Sequence, residues 1–485
     1  MNFEMVARRL GTAAIAKLTA NLLSWIATIL LLRWLTPSDY GIVAIAAIIA
    51  DFFFQFLDSS VSADIVRRTT FSKRRAQYYA GSLVFLGVVA GILLSSLGPM
   101  LSSFYNAPGL NLIVVAKGLE LVVSSILVVP EARLLRALDT KMQAILIFTS
   151  TVVASAIALF CAWSGLGLWS LIIGPLALRL CKLFLITTYR PMLLVKPKLS
   201  FSVTLRMVLL NRGLIVNRMS YIFYEYIPTL ISGRVMGSTQ TGLYFTAYDL
   251  ASIPSSRMMN IVNQVALPVY SRLQSDKTKF ESAVLRGTSL MTLVYWPSVV
   301  GLAAISDVFV ALVLGPKWSG IPTILSIMAV AWAIRSPWDF LENPMIAAKH
   351  EKLLTQMQMV RIVVLVISCL ILGKYGAIGY ASAFLITSTL SAVLSIFISC
   401  PVLGVTSRKV SHIILRGSLC CVIMFMAVRI SLGFVNSSGI WTKFLIGIFS
   451  GAISYCFASF FVQRSSVKDF MQLILHGFAK RKTVA

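Results

Sequence analysis

About fourteen apolar runs, each near the ~20 residues a helix needs to cross a bilayer, constrain this chain more than any other feature. They fall at 12–33, 41–62, 79–102, 111–130, 142–163, 166–188, 203–232, 241–268, 284–305, 320–341, 354–373, 376–400, 412–434 and 440–462. Hydrocarbon offers no water to satisfy a backbone N–H or C=O, so each run reads as a helix. Hydrophobic residues make up 58% of the 485 and charged ones 12%. A soluble chain with that balance would expose a large apolar surface. The expected fold is an all-α polytopic membrane protein.

Basic residues gather on alternate links. Those after the second, fourth and sixth runs hold Arg67, Arg68, Lys73, Arg74 and Arg75; Arg133, Arg136 and Lys141; and Arg190, Lys196 and Lys198. Those after the eighth, tenth and twelfth hold Arg272, Lys277 and Lys279; Lys349 and Lys352; and Arg408 and Lys409. The tail adds Arg464, Lys468, Lys480, Arg481 and Lys482, and the intervening links are nearly bare. Basic loops stay on the cytoplasmic side, so both termini are expected there. The net charge of +26, from 43 Lys and Arg against 17 Asp and Glu, then reports orientation, not nucleic-acid binding. The first run follows Arg8 and Arg9, is long and lacks a clear cleavage site, so it reads as the first span rather than a signal peptide.

A repeat divides the chain. Arg33-Trp34-Leu35-Thr36-Pro37-Ser38-Asp39-Tyr40-Gly41 lies between two apolar runs, and Arg234-Val235-Met236-Gly237-Ser238-Thr239-Gln240-Thr241-Gly242 lies between two more. Arg matches Arg and Gly matches Gly at one offset. Two similar halves are a common transporter design. The polar link near 190–202 sets the expected boundary: a six-helix bundle over 1–195, a second over 196–405, two further helices over 406–464, and a basic tail over 465–485. In that tail Val467, Phe470, Met471, Ile474 and Phe478 recur at helical spacing, as in an amphipathic helix on the inner surface.

A charge at bilayer depth costs roughly 2.5–3.5 kcal/mol on insertion scales and normally faces a cavity or a partner. Lys17, Asn21, Ser24 and Thr28 share one face of the first helix, and Asp51, Gln55 and Asp58 one face of the second. The seventh carries Asn211, Arg218, Tyr221 and Glu225 on one side. The eighth carries Asp249, Ser252, Ser256 and Asn260 around Pro254. Lys17 and Arg218 stand at equivalent places in the two halves. A cavity receiving both would attract a phosphate or an acidic sugar. Lys17, Asn21, Asn211, Arg218 and Tyr221 are therefore the candidate substrate-binding residues, and Asp51, Asp58 and Asp249 the candidate ion-coupling residues. Other readings stand beside these. Lys17 is near enough to its helix start to snorkel, and Asp51 and Asp58 would serve equally to neutralise it. Lys117 with Glu120, and Arg335 with Asp339, read as self-satisfied pairs. Arg179 and Lys182 read as interface anchors, and Arg33 and Arg234 as caps of helix ends.

No catalytic constellation is visible. His350, His412 and His476 are far apart, and no Gly-Lys-Ser/Thr loop, HExxH or acidic metal cluster occurs. No cofactor is expected. Cys161, Cys181, Cys369, Cys400, Cys420, Cys421 and Cys456 form no ligand spacing and read as small buried hydrophobes.

The stretch from Leu30 through Arg33-Trp34-Leu35-Thr36-Pro37-Ser38-Asp39-Tyr40-Gly41 resembles the opening of bacterial polysaccharide flippases of the Wzx type. Phe56-Leu57-Asp58-Ser59-Ser60-Val61-Ser62-Ala63-Asp64-Ile65-Val66 resembles the end of their second helix. Gly233-Arg234-Val235-Met236-Gly237, Gly242-Leu243-Tyr244 and Leu267-Pro268-Val269-Tyr270-Ser271-Arg272-Leu273 resemble their seventh and eighth. The resemblance implies the multidrug/oligosaccharidyl-lipid/polysaccharide superfamily: two six-helix bundles, alternating access, and a central cavity. It also implies an undecaprenyl-diphosphate-linked oligosaccharide moved across the bacterial inner membrane for exopolysaccharide, capsule or O-antigen. A polymerase and a chain-length regulator are the implied partners. Where relatives often carry an acidic residue before the second Gly-Arg, this chain has Pro228, with Glu225 one turn earlier, so no helix-seven carboxylate carries over. The rival readings are a lipid II flippase, a cation-coupled drug antiporter, and a membrane-embedded polysaccharide synthase component. A drug antiporter should show an acidic cavity, and a synthase should transfer sugar.

Overall fold

The structure is a computed structural model that describes residues 3–67, 71–137, 139–435, 439–468 and 470–472. Side chains are described for these except 3–18, 60, 62–64, 66, 67, 214, 257, 260–265, 267 and 268. The described residues are helical without strands, and contacts divide the chain into two units, Met1–Gly242 and Leu243–Ala485.

The first unit holds α1 (Phe3–Trp34), α2 (Pro37–Arg67), α3 (Lys73–Ser96), α4 (Gly98–Phe104), α5 (Leu110–Arg136), α6 (Thr140–Trp163), α7 (Ser170–Tyr189) and α8 (Phe201–Leu210), and the start of α9 (Arg212–Leu273). α3 and α2 both lie along α5, and α6 lies between α1 and α7. The α3–α5 approach rests on small residues: Gly87 faces Ser125, and Gly91 faces Gly118. Lipid tails give no hydrophobic drive between helices, so close backbone packing of this kind holds them together. One core cluster gathers Leu57, Leu83, Leu121, Val128 and Met207, and another gathers Ile45, Leu94, Leu110, Ile113 and Ile172.

The second unit holds the rest of α9, then α10 (Lys277–Ala304), α11 (Ser306–Val313), α12 (Ile321–Ala347), α13 (Glu351–Leu372), α14 (Gly376–Leu394), a π-helical turn at Ser395–Ser399, α15 (Cys400–Val402), α16 (Ser407–Phe434) and α17 (Ile440–Val462). α12 packs on α14, α16 on both α10 and α17, and α10 on α12. Trp296 donates its indole N–H to Ser336 Oγ at 2.8 Å, and Tyr455 donates to the Leu293 carbonyl at 2.9 Å, so the aromatic polar tips stay satisfied inside this core.

Every expected run is met by helix. Ten helices among the described residues are long and apolar enough to cross a membrane, and one of these, Glu351–Val402, covers two of the expected runs. Two runs are broken where one helix was expected. The third run stops at Leu97 because Gly98 packs against Asn111 and Pro99 lacks an N–H to continue the ladder. The seventh begins as a separate ten-residue helix, α8, ended by Asn211. At ~15 Å, α8 is too short to cross.

The expected boundary near 195 and the division after Gly242 place the seventh run differently. Its helix groups with the first unit because it runs antiparallel along α2. Arg218 meets Gln55, Gly233 packs on Ile45, and the Ser38 and Ser238 hydroxyls bond at 2.7 Å. At Gly237 the backbone leaves the helix, at φ 76° and ψ 177°, a conformation that favours glycine. Five cysteines are buried as expected, Cys181 is half-buried, and Cys456 is exposed on α17. His476 and most of the expected amphipathic tail lie outside the described residues.

Candidate functional site

In the first unit, polar side chains from three helices converge where the sequence is otherwise apolar. α2 contributes Asp51, Gln55 and Asp58 at helical spacing. α5 contributes Lys117, Glu120, Ser124 and Glu131, spaced by three, four and seven, so they too share a face. α7 contributes Arg179 and Lys182, one turn apart. Lys117 Nζ donates to Glu120 Oε2 at 2.7 Å, and Arg179 Nε stands 3.8 Å from Glu120 Oε1. The Arg179 guanidinium also lies 5.1 Å above the Phe54 ring on α2. Lys182 Nζ donates to Glu131 Oε1 at 2.8 Å.

Asp51 shares a small cavity with Lys117, Glu120 and Arg179. Among the described residues it makes no hydrogen bond or ion pair. A second cavity, about 350 Å³, is lined by Asp58, Glu131, Gln143, Arg179 and Lys182. The two share Phe54, Ser124 and Arg179, so they form one polar compartment. Among the described residues it is lined by four carboxylates (Asp51, Asp58, Glu120, Glu131) and three cations (Lys117, Arg179, Lys182).

Arg218 enters the same α2 face from α9. Its Nε donates to Gln55 Oε1 at 3.2 Å, and its guanidinium lies 5.8 Å from the Tyr221 ring centroid. Arg218 is exposed and Tyr221 half-buried. Gln55 sits between Asp51 and Asp58, so a candidate substrate-binding cation meets the candidate ion-coupling stripe through one amide. Asn211 stands apart: its Nδ2 donates to the Met207 carbonyl at 3.0 Å and ends α8. Asn21 is half-buried on α1, which packs on α6. The side chains of Lys17 and Asn260 lie outside the described residues. Both Lys17 and Arg218 belong to the first unit. Arg234 donates from Nη1 to the Phe104 carbonyl at 2.5 Å, ending α4 as a capping role requires.

Asp249 lies in the second unit, exposed on α9, with Ser252 Oγ donating to its carbonyl at 2.8 Å. Nearby chemistry in that unit is aromatic. Arg335 is fully buried, bonds Asp339 through Nε at 3.1 Å, and stacks 4.7 Å from the Trp332 centroid. The expected pairing of Arg335 with Asp339 is present, with the Arg335 side chain fully buried.

Sequence reading found Asp51 and Asp58, and the Lys117–Glu120 pair, but not the compartment. Arg179 and Lys182, expected as interface anchors, pair with Glu120 and Glu131. Glu131 stands eleven residues after Glu120, three helical turns on, and that register was the available signal. Among the described residues no group of three or more His, Cys, Asp or Glu is placed to hold a metal ion.

A family model described as "Polysaccharide biosynthesis protein" matches residues 30–323. The lipopolysaccharide biosynthesis protein WzxC of Escherichia coli (strain K12) is 25% identical over 391 residues, 78% of this chain and 78% of its own. The succinoglycan biosynthesis transport protein ExoT of Rhizobium meliloti (strain 1021) is 21% identical over 345 residues, 70% of this chain and 68% of its own. Among solved structures, the lipid II flippase MurJ in an inward closed conformation gives a TM-score of 0.69 at 15% identity, covering 94% of this chain and 99% of that one. An inward-facing multidrug resistance MATE family transporter of the MOP superfamily gives 0.63 at 13% identity, covering 81% and 98%. These likenesses show that the chain shares its fold with MurJ and with that MATE transporter. Where the names state an activity, it is transport or flipping, not catalysis.

Proposed function

Because the chain belongs to the polysaccharide biosynthesis protein family, we propose that it is a flippase for a lipid-linked oligosaccharide. The substrate is a repeat unit on undecaprenyl diphosphate, carried from the inner to the outer leaflet of a bacterial inner membrane. The observation that carries this reading is the match to WzxC over 78% of both chains, with no large hydrophilic loop left over for sugar-transfer chemistry.

Arg218, with Tyr221 and Lys17, receives the anionic head group. Asp51 and Asp58 take the coupling cation or proton, supported by their shared face on α2 beside Arg218. Asp249 serves the same purpose in the second unit. The basic links face the cytoplasm, as do both termini.

The test is export. Cells lacking the protein should stop displaying the polymer and accumulate the lipid-linked repeat unit on the inner leaflet. Expression of the wild-type chain should reverse both effects. Purified protein in vesicles should move that lipid between leaflets without altering its sugars. Transfer of sugar by the purified protein would instead establish a synthase, and movement of lipid II alone a lipid II flippase.

A further inference from the structure

A second polar pocket, away from the compartment, lies where α3 begins and α8 lies against it. α8 buries Thr204 and Met207 against α3, where Thr204 and Ser82 share a buried hydroxyl bond of 2.7 Å. The preceding link is tied to the same helix: Lys198 N donates to the Gln77 carbonyl at 3.0 Å. The opposite side of α8 is apolar and open. Phe201 is 73% exposed, Leu205 50%, Leu209 53% and Leu210 64%. A short helix with one such stripe lies in a membrane interface, its apolar side toward the acyl chains.

Beside that stripe is a cavity of about 360 Å³, at the small end of ligand pockets (~300–1,000 Å³). Arg74, Arg75 and Arg206 surround it with Ser72 and Tyr78. All three arginines are exposed, and among the described residues none makes an ion pair. Among the described residues no carboxylate lines the cavity. Its inner wall is Tyr79 and Met207, members of the buried core with Leu57, Leu83 and Leu121. A ligand seated here therefore has no path deeper into the unit.

We propose that this pocket holds the phosphate head group of a resident anionic glycerophospholipid, whose acyl chains lie along the open stripe of α8. Three guanidiniums, with no carboxylate among the described lining residues, complement a phosphodiester, and Arg recognises phosphate through a fork of donors. The closed inner wall suits a lipid that stays, not a cargo that must pass through. The head group of the transported lipid is also a phosphate ester, and the experiment separates the two.

The full-length protein is purified, reconstituted in nanodiscs of phosphatidylcholine with a minor share of phosphatidylglycerol, and the lipid retained after extraction is counted by native mass spectrometry. The wild type should enrich phosphatidylglycerol, and the combined R74Q/R75Q/R206Q variant should lose that enrichment by about fivefold per arginine removed. R74K/R75K/R206K should retain most of it, which controls for folding. Binding of added undecaprenyl diphosphate should be the same in wild type and glutamine variant. Equal phosphatidylglycerol retention in the two would overturn the proposal. So would loss of undecaprenyl diphosphate binding in the glutamine variant, which would make the pocket a cargo site.

Discussion

Gly41 and Gly242 occupy the same position in the two copies of the repeat, and in the folded first unit they face each other. A Cβ on Gly41 would lie 2.9 Å from the Gly242 nitrogen, and one on Gly242 would lie 3.0 Å from the Gly41 nitrogen. The first would also collide with the Ser238 carbonyl and the second with the Pro37 carbonyl. Pro37 and Ser238 are themselves repeat equivalents. Residue i thus meets the partner of j while j meets the partner of i, the signature of a local twofold axis. The repeat is visible in the sequence as a matched spacing, and the fold uses it as a contact.

Alanine at either position should therefore be poorly tolerated. Overpacking of a close contact costs ~1–3 kcal/mol, and here the obstacle is backbone, which cannot rotate away. Gly41→Ala and Gly242→Ala should each lower the unfolding temperature in detergent and reduce membrane protein level. Gly109→Ala should do neither, since open space surrounds that position. Equal thermal stability of Gly41→Ala and Gly109→Ala would show that the helices can part without cost.

Glu120 holds two cations at once, Lys117 and Arg179. Its side chain is 12% exposed and that of Lys117 8%. Removing one partner of such a buried set strands the other charge, at ~3–5 kcal/mol. Glu120→Gln should accordingly cut the amount of folded protein, measured by fluorescence-detected size exclusion. Lys117→Met added to it should restore much of the yield by removing the stranded ammonium. A Glu120→Gln protein that folds as well as the wild type would mean that the compartment is hydrated and the pairs are weak.

The span pattern was legible because bilayer thickness fixes helix length and the apolar runs are long. Breaks inside runs were harder to read. α8 separates from α9 through a cap at Asn211 and a tertiary hydroxyl bond between Thr204 and Ser82, and neither feature changes hydropathy. The acidic stripe on α2 could be read because it lies on one helix. Its partners could not, since Glu120 and Glu131 come from α5 and Arg179 and Lys182 from α7, and only tertiary packing brings those helices together with α2. Pairing within a helix was read correctly, at Lys117 with Glu120 and Arg335 with Asp339, because helical spacing alone decides it.

Asp51 differs from Glu120 in having no bonded partner among the described residues. Asp51→Asn should preserve folding while impairing transport, if the α2 carboxylates bind the coupling cation. The measurement is surface polymer normalised to membrane protein level, with Asp58→Asn alongside. Full export by both variants would remove the α2 stripe from coupling. Arg218→Ala should likewise spare protein level, because the exposed guanidinium gives up a bond to Gln55 and a contact with the Tyr221 ring, but should abolish export through loss of the anionic contact.

Arg335 makes the sharpest case in the second unit. Its guanidinium is fully buried, bonded to Asp339 and stacked on Trp332. Lysine would keep the charge but lose the planar stack and the rigid fork that serves ring and carboxylate together. A desolvated cation–π contact is worth ~2 kcal/mol, so Arg335→Lys should unfold at a lower temperature than wild type. Trp332→Leu should show a similar loss. If the stack matters, combining the two should cost less than the sum of the singles, because neither has the contact left to lose. Strict additivity in that cycle would assign the stability to the Asp339 bond alone.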